Sequence, residues 1–233
     1  LGFDQIPPIK MKKRLLTLAA LAAITTSFSA AAAGTAESRL DVYGFVGAAN
    51  LKISNDTDSF KADGVDLGAR AVFNVTPNLF LLGEYTYADA DGDAFGTTVK
   101  IKVDEARGGA GFRFEVAPGL KLGVFGQYVY QQTSFGADGF SISADYNGYH
   151  VGGIAQYDII PQLQGFGRVG YLTIEDDGTD GSKLDGLDLN AGLSYRFTPN
   201  LGIYIEYRYS GLSTSDNTDF DYNSFRGGVK LSF

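Results

Sequence analysis

Cysteine and tryptophan are missing from these 233 residues, histidine and methionine occur once each, and proline occurs six times. Without cysteine there is neither a disulfide framework nor a thiolate metal site. Basic residues are also scarce, 19 Lys and Arg against 27 Asp and Glu. A nucleic-acid partner needs a basic footprint for its phosphates, so this balance argues against one. The abundant residues are 31 Gly, 17 Phe and 14 Tyr. A chain of this length suits one domain.

The N-terminal segment is unlike the rest. Met11-Lys12-Lys13-Arg14 is a basic stretch, residues 15–24 are apolar, and residues 27–33 are small and end in Ala31-Ala32-Ala33. The apolar part is too short to span a bilayer as a helix. This order is that of a secretory signal peptide, expected over residues 11–33 with cleavage before Gly34. Residues 1–10 precede Met11 and fit no part of a signal peptide. They are expected to be a mis-assigned upstream extension, with translation starting at Met11. Setting residues 1–33 aside changes the formal charge from −8 to −11, because they carry four basic residues and one acidic.

From residue 34 to 233 the hydrophobic period is two nearly everywhere, and no helical period is sustained. Ten strands are expected, over residues 42–53, 63–75, 79–88, 104–116, 120–131, 147–159, 163–174, 187–197, 201–209 and 223–233. Val99, Ile101 and Val103 alternate out of phase with the fourth strand, which predicts a bulge near Asp104. In the first strand the apolar face is assigned to Tyr43, Phe45, Gly47, Ala49, Leu51 and Ile53. The connections alternate in length. Four are tight and contain proline: Thr76-Pro77-Asn78, Ala117-Pro118-Gly119, Ile160-Pro161-Gln162 and Thr198-Pro199-Asn200. Proline presets a turn and cannot serve a ladder. The other five, residues 54–62, 89–98, 132–146, 175–186 and 210–222, are longer and polar.

Two further patterns separate a membrane barrel from a soluble sandwich. Tyr85, Tyr87, Tyr128, Tyr130, Tyr171, Tyr207 and Tyr209 all lie on the apolar face, seven to eleven residues past a proline turn. A tilted strand climbs roughly 2.5 Å per residue, so nine residues reach about 22 Å, close to the ~25 Å between aromatic girdles. Phe73, Phe114, Tyr157, Phe197 and Phe233 form the opposite belt. The other face carries Asp66, Arg70, Glu84, Arg107, Arg113, Glu115, Lys121, Asp158, Arg168, Asp188, Arg196, Glu206, Arg208, Arg226 and Lys230. Lipid does not tolerate such a face, so it points to an enclosed lumen. Gly44, Gly68, Gly152, Gly170, Gly192 and Gly228 are assigned inward beside it. Pairing Val75 with Leu79 sets Arg70 opposite Glu84, and pairing Val116 with Leu120 sets Glu115 opposite Lys121. Structural lumen charge pairs are therefore expected among Arg70, Glu84, Glu115, Lys121, Arg168, Glu206 and Arg226.

The last strand alternates Phe225, Gly227, Val229 and Leu231 and stops on Phe233. With the strand–turn pattern, this segment resembles the small outer-membrane β-barrel superfamily of opacity-like proteins and the membrane domain of outer membrane protein A. The resemblance covers residues 39–233. It implies an all-β, transmembrane, up-and-down antiparallel barrel in the bacterial outer membrane. The strand count read here is ten, with eight, common in that superfamily, as the alternative. The resemblance also implies recognition of the C-terminal strand by barrel assembly machinery.

Chemistry is sparse. His150 has lumen parity and no Asp-x-His or Ser-x-His pattern around it, so a lipid- or peptide-modifying enzyme finds no triad. Asp89-Ala90-Asp91-Gly92-Asp93 echoes a Ca²⁺ loop, but Lys100 stands where the closing Glu would be. No catalytic residue, cofactor or metal ligand is expected. Acidic connections would face lipopolysaccharide, with divalent cations bridging the two. A structural or adhesin-like surface role is expected, with a small passive pore as the alternative.

Overall fold

The computed structural model describes residues 39–55, 57–94, 97–137, 140–178, 182–215 and 217–233. The expected signal peptide and upstream extension fall outside these residues, as do Phe95, Asp180 and Asp216 of the connections. Ten strands run in order: β1 (Leu40–Ser54), β2 (Ser59–Asn74), β3 (Leu79–Ala94), β4 (Thr97–Ala117), β5 (Leu120–Ala137), β6 (Phe140–Ile160), β7 (Leu163–Asp176), β8 (Lys183–Arg196), β9 (Leu201–Thr214) and β10 (Asp219–Ser232). Each pairs antiparallel with its sequence neighbours, and β1 closes on β10. Closure leaves no strand edge unpaired, the condition for crossing hydrocarbon with sheet.

The proline turns define one rim. In the first, the Thr76 Oγ1 accepts from the Leu79 amide at 2.9 Å, and the Asn78 side chain donates to the Arg113 carbonyl at 2.8 Å. The fourth repeats the device: Thr198 Oγ1 accepts from the Leu201 amide at 3.1 Å, and Asn200 donates to the Ser232 carbonyl at 2.7 Å. Gly119 takes φ +75° in the second turn, a conformation open to glycine. Beside the second and third turns the ladder slips by one residue, between Glu115 and Ala117 and between Asp158 and Ile160. Ala117 rather than Val116 therefore faces Leu120, while Glu115 still faces Lys121.

At the opposite rim the strands run further than their polar composition suggests. Residues 89–94 continue β3, and residues 132–137 and 140–146 continue β5 and β6 as a paired hairpin. Here the two faces exchange character. Ala62, Ala90 and Ile101 pack inward with Val103 and Phe135, while Lys100 and Lys102 point out. Outside the bilayer the barrel follows the soluble rule of apolar inside and polar outside. The inversion accounts for the out-of-phase Val99, Ile101 and Val103. No bulge marks it: β4 pairs without a slip past Asp104 on both sides.

A second correction concerns β1. Its lipid face is Val42, Gly44, Val46 and Ala48, and Tyr43 and Phe45 point inward. Val46 is 62% exposed and Phe45 only 7%. Pairing of Tyr43 with Arg70 and of Gly47 with Asp66 and Arg226 fixes this parity. Gly44 accordingly faces out. Along this stretch both faces are apolar, so alternation by itself could not distinguish them.

Candidate functional site

The lumen holds the chemistry of this molecule, and the tilt of the strands brings distant residues into one layer. Arg70 on β2 donates from Nε to Glu84 on β3 at 2.8 Å, and from both terminal nitrogens to Glu206 on β9 at 2.7 and 2.9 Å. The pair with Glu206 is bidentate, the strongest form of this contact. Arg168 on β7 reaches the same Glu84 oxygen at 2.9 Å. Arg226 on β10 donates to Asp66 at 2.6 Å and lies 3.4 Å from Glu84 and 3.5 Å from Glu206. Its guanidinium sits over the Phe45 ring, 4.5 Å from the centroid.

A second cluster adjoins the first toward the outer rim. Arg107 donates to Glu105 at 2.7 Å and to Asp188 at 2.9 Å. Arg208, two residues along β9 from Glu206, donates to Glu105 at 2.9 Å and Asp188 at 3.1 Å. His150 borders this cluster, with Nδ1 3.0 Å from Arg107 and the ring edge-on to Phe125 at 4.8 Å. The two clusters contain Arg70, Arg107, Arg168, Arg208 and Arg226 against Asp66, Glu84, Glu105, Asp188 and Glu206, so their formal charges cancel. Arg226, Asp66 and Glu206 have no solvent-exposed side-chain surface.

Of the residues singled out by sequence, Arg70, Glu84, Arg168, Glu206 and Arg226 meet in one cluster. Glu115 and Lys121 sit apart from it at the proline-turn rim, opposite one another in the ladder, where Glu115 accepts from the Gly119 amide at 3.1 Å. Sequence reading passed over Glu105, although it shares the parity of Arg107 and was therefore findable. It also missed Asp41, whose pairing with Lys230 at 3.1 Å depends on the true parity of β1.

Two glycines make room at close approaches. A Cβ on Gly68 would come within 2.6 Å of the Phe45 ring, and one on Gly111 within 2.2 Å of the Phe80 ring. Phe80, Leu82 and Phe125 form an apolar layer between the charge clusters and the proline-turn rim. The lumen is thus ionic across the middle, with apolar side chains toward each end; at the proline-turn end they share the space with Arg113, which donates to Asn74 and Gln156. Asp89, Asp91 and Asp93 do not form a cation loop, because they lie in β3 and point outward while Ala90 is buried. Among the described residues no group of three His, Cys, Asp or Glu side chains is placed to hold a metal ion.

On the outer wall the tyrosine belt has its own order. Tyr85 donates to Asp104 at 2.6 Å, Tyr128 to Asn147 at 2.8 Å, Tyr207 to Asn223 at 2.6 Å and Tyr209 to Asp221 at 2.9 Å. Tyr171 donates likewise to Asp185. Each acceptor lies diagonally across the ladder, two residues nearer the outer rim than the tyrosine's direct partner. The ring therefore stays in the apolar band while its hydroxyl reaches the polar zone.

Comparison with known proteins agrees with this geometry. The family model for the outer membrane protein beta-barrel domain matches residues 17–197 and 155–233. No curated protein matches the sequence. An outer membrane channel from Pseudomonas putida F1 is 10% identical, with 88% of this chain and 100% of that chain covered and a TM-score of 0.54. The outer membrane protease OmpT from Escherichia coli is 11% identical, with 86% and 99% covered and a TM-score of 0.53. The transport unit of the autotransporter AIDA-I from Escherichia coli is 13% identical, with 93% and 97% covered and a TM-score of 0.51. These likenesses concern the fold. A closed ten-strand barrel with an apolar outer band and an ionic interior, matched along most of its length, places the chain in the bacterial outer membrane, and it belongs to the outer membrane protein beta-barrel domain family.

Proposed function

We propose that this barrel is a closed, non-enzymatic scaffold of the outer membrane that presents its strand extensions to partners at the cell surface. The observation that carries the reading is the charge-neutral ionic layer, which joins β2, β3, β4, β7, β8, β9 and β10 across the lumen. A conducting pore needs a wetted path, of the kind that porins of about 16–18 strands enclose. Here each guanidinium and carboxylate of the layer is committed to an opposite charge, and breaking one pair leaves an uncompensated ion. His150 is enclosed by Phe125, Arg107 and Asp188 and is 1% exposed, which keeps it from any peptide or lipid headgroup.

Surface interaction is supported at the β5–β6 hairpin, which projects beyond the tyrosine belt and exposes Phe140 and Ile142. Lipopolysaccharide is the neighbour of the outward carboxylates, through bridging divalent cations. The C-terminal strand serves the assembly machinery. Reconstitution into planar bilayers tests the closed lumen: electrical silence is expected, and steady ohmic conductance would replace this reading with a passive pore. Replacing the exposed Phe140 and Ile142 by serine is expected to lower adhesion of expressing cells without altering heat-modifiable migration.

A further inference from the structure

Above the ionic layer the lumen opens into a recess at the outer rim, a cavity of about 100 Å³ that is open to solvent. Its wall is apolar: Leu51, Ile53, Ile101, Val103, Leu184 and Leu212 are among the residues lining it. A surface interaction through loop tips has no use for an apolar interior. The recess floor is Glu105 and Arg208, which are paired to each other at 2.9 Å. At the lip, Lys52 stands opposite Asp221 in the ladder. A charged ligand would find no uncompensated partner on this floor. One polar atom is different. Thr86 lines the recess, is 3% exposed, and its Oγ1 has no hydrogen-bond partner. A buried hydroxyl without a partner is uncommon and marks a place where a ligand atom or water belongs.

We propose that the recess binds an uncharged, chain-like apolar molecule carrying one hydroxyl group, which docks on Thr86 while its chain lies along the apolar wall. The site rests on the closed-lumen reading only through its floor, the Glu105–Arg208 pair, and needs no more of the ionic layer than that pair. Ligand pockets of this kind combine an apolar lining with a few placed polar groups. Neutrality of the floor selects against fatty acids and phospholipid headgroups.

The absence of native tryptophan makes the test clean. F220W puts a single emitter on the recess wall, and F225W puts one on the lipid face of the same strand. Each is reconstituted in lipid nanodiscs and titrated with a bromine-labelled long-chain alcohol as quencher. Saturable quenching of F220W, reversed by the unlabelled alcohol, is expected, with non-saturable quenching of F225W. Adding T86V to F220W should weaken the alcohol roughly fivefold, the worth of one hydrogen bond. Linear quenching of both reporters would overturn the site, since it reports partition into lipid only. Saturable quenching unmoved by T86V would overturn it as well. If F220W fails the heat-modifiable migration check, L184W, two strands away in the same apolar cluster, replaces it. Saturable binding together with ohmic conductance would remove the closed-lumen reading and leave the site. Silence with linear quenching would do the reverse.

Discussion

At Glu84 three guanidiniums, from Arg70, Arg168 and Arg226, converge on one carboxylate. Bringing these ions out of water carries a large desolvation penalty, which is offset only while every partner is present. E84A would leave three buried cations facing two remaining carboxylates, Glu206 and Asp66. It is expected to destabilise the barrel by about 3–5 kcal/mol, measured by urea-induced unfolding from liposomes. The double variant R70A/E84A should lose less than the sum of its single variants, because the second change removes a charge that the first stranded. The hydroxyl of Tyr207 is the counterexample. It donates to Asn223 on the exposed wall, and Y207F is expected to cost no more than about 1 kcal/mol. Glycine acts through space rather than charge. A Cβ on Gly68 would meet the Tyr85 carbonyl at 2.1 Å and the Phe45 ring at 2.6 Å, so G68A must push β2 from β3 as well as displace the ring over which Arg226 sits. Its measure is a lowered urea midpoint with unchanged cooperativity.

Strand β1 tests the lipid-facing assignment most directly. Val46 faces out and Phe45 faces in, so V46R places a cation against acyl chains. A cost of about 2–4 kcal/mol is expected near the bilayer midplane, in the same unfolding assay. A neutral outcome would restore the opposite parity. Strand number, proline turns, tyrosine belt and the Arg70–Glu84 register are legible in the sequence because each rests on local spacing of period two. The parity of β1 is not, since Val42, Tyr43, Phe45 and Val46 are apolar on both faces, and only pairing with Arg70 and Arg226 decides it. Nor are the strand ends. Residues 89–94 and 132–137 read as polar connections because their outward side chains meet water, yet Ala90 and Phe135 still pack inward and hold the ladder together. Sequence likewise places the charged face of the strands other than β1, but not the convergence of β2, β7 and β10 on Glu84, which depends on strand tilt and barrel closure.

For the whole molecule the deciding quantity is the height at which the outer wall changes from apolar to polar. Leu67, Leu81, Phe112, Val124, Val151, Val169, Leu193, Ile205 and Val229 form a continuous exposed apolar band, well beyond the few hundred Å² that a water-soluble surface carries. On β4 the band runs through Ala110 and Phe112, and the wall beyond the tyrosines carries Lys100 and Lys102. Because the chain has no cysteine, single substitutions can map this boundary without background. K102C should react with a membrane-impermeant maleimide on intact cells. A110C, on the same face of the same strand, should stay unlabelled even after permeabilisation, since lipid covers it. N78C, in the first proline turn, should react only once the outer membrane is permeabilised. Equal labelling of K102C and A110C would mean that water wets the whole wall. Labelling of N78C on intact cells would turn the barrel upside down, and the recess lined by Ile101 and Leu212 would then open to the periplasm instead of the cell surface.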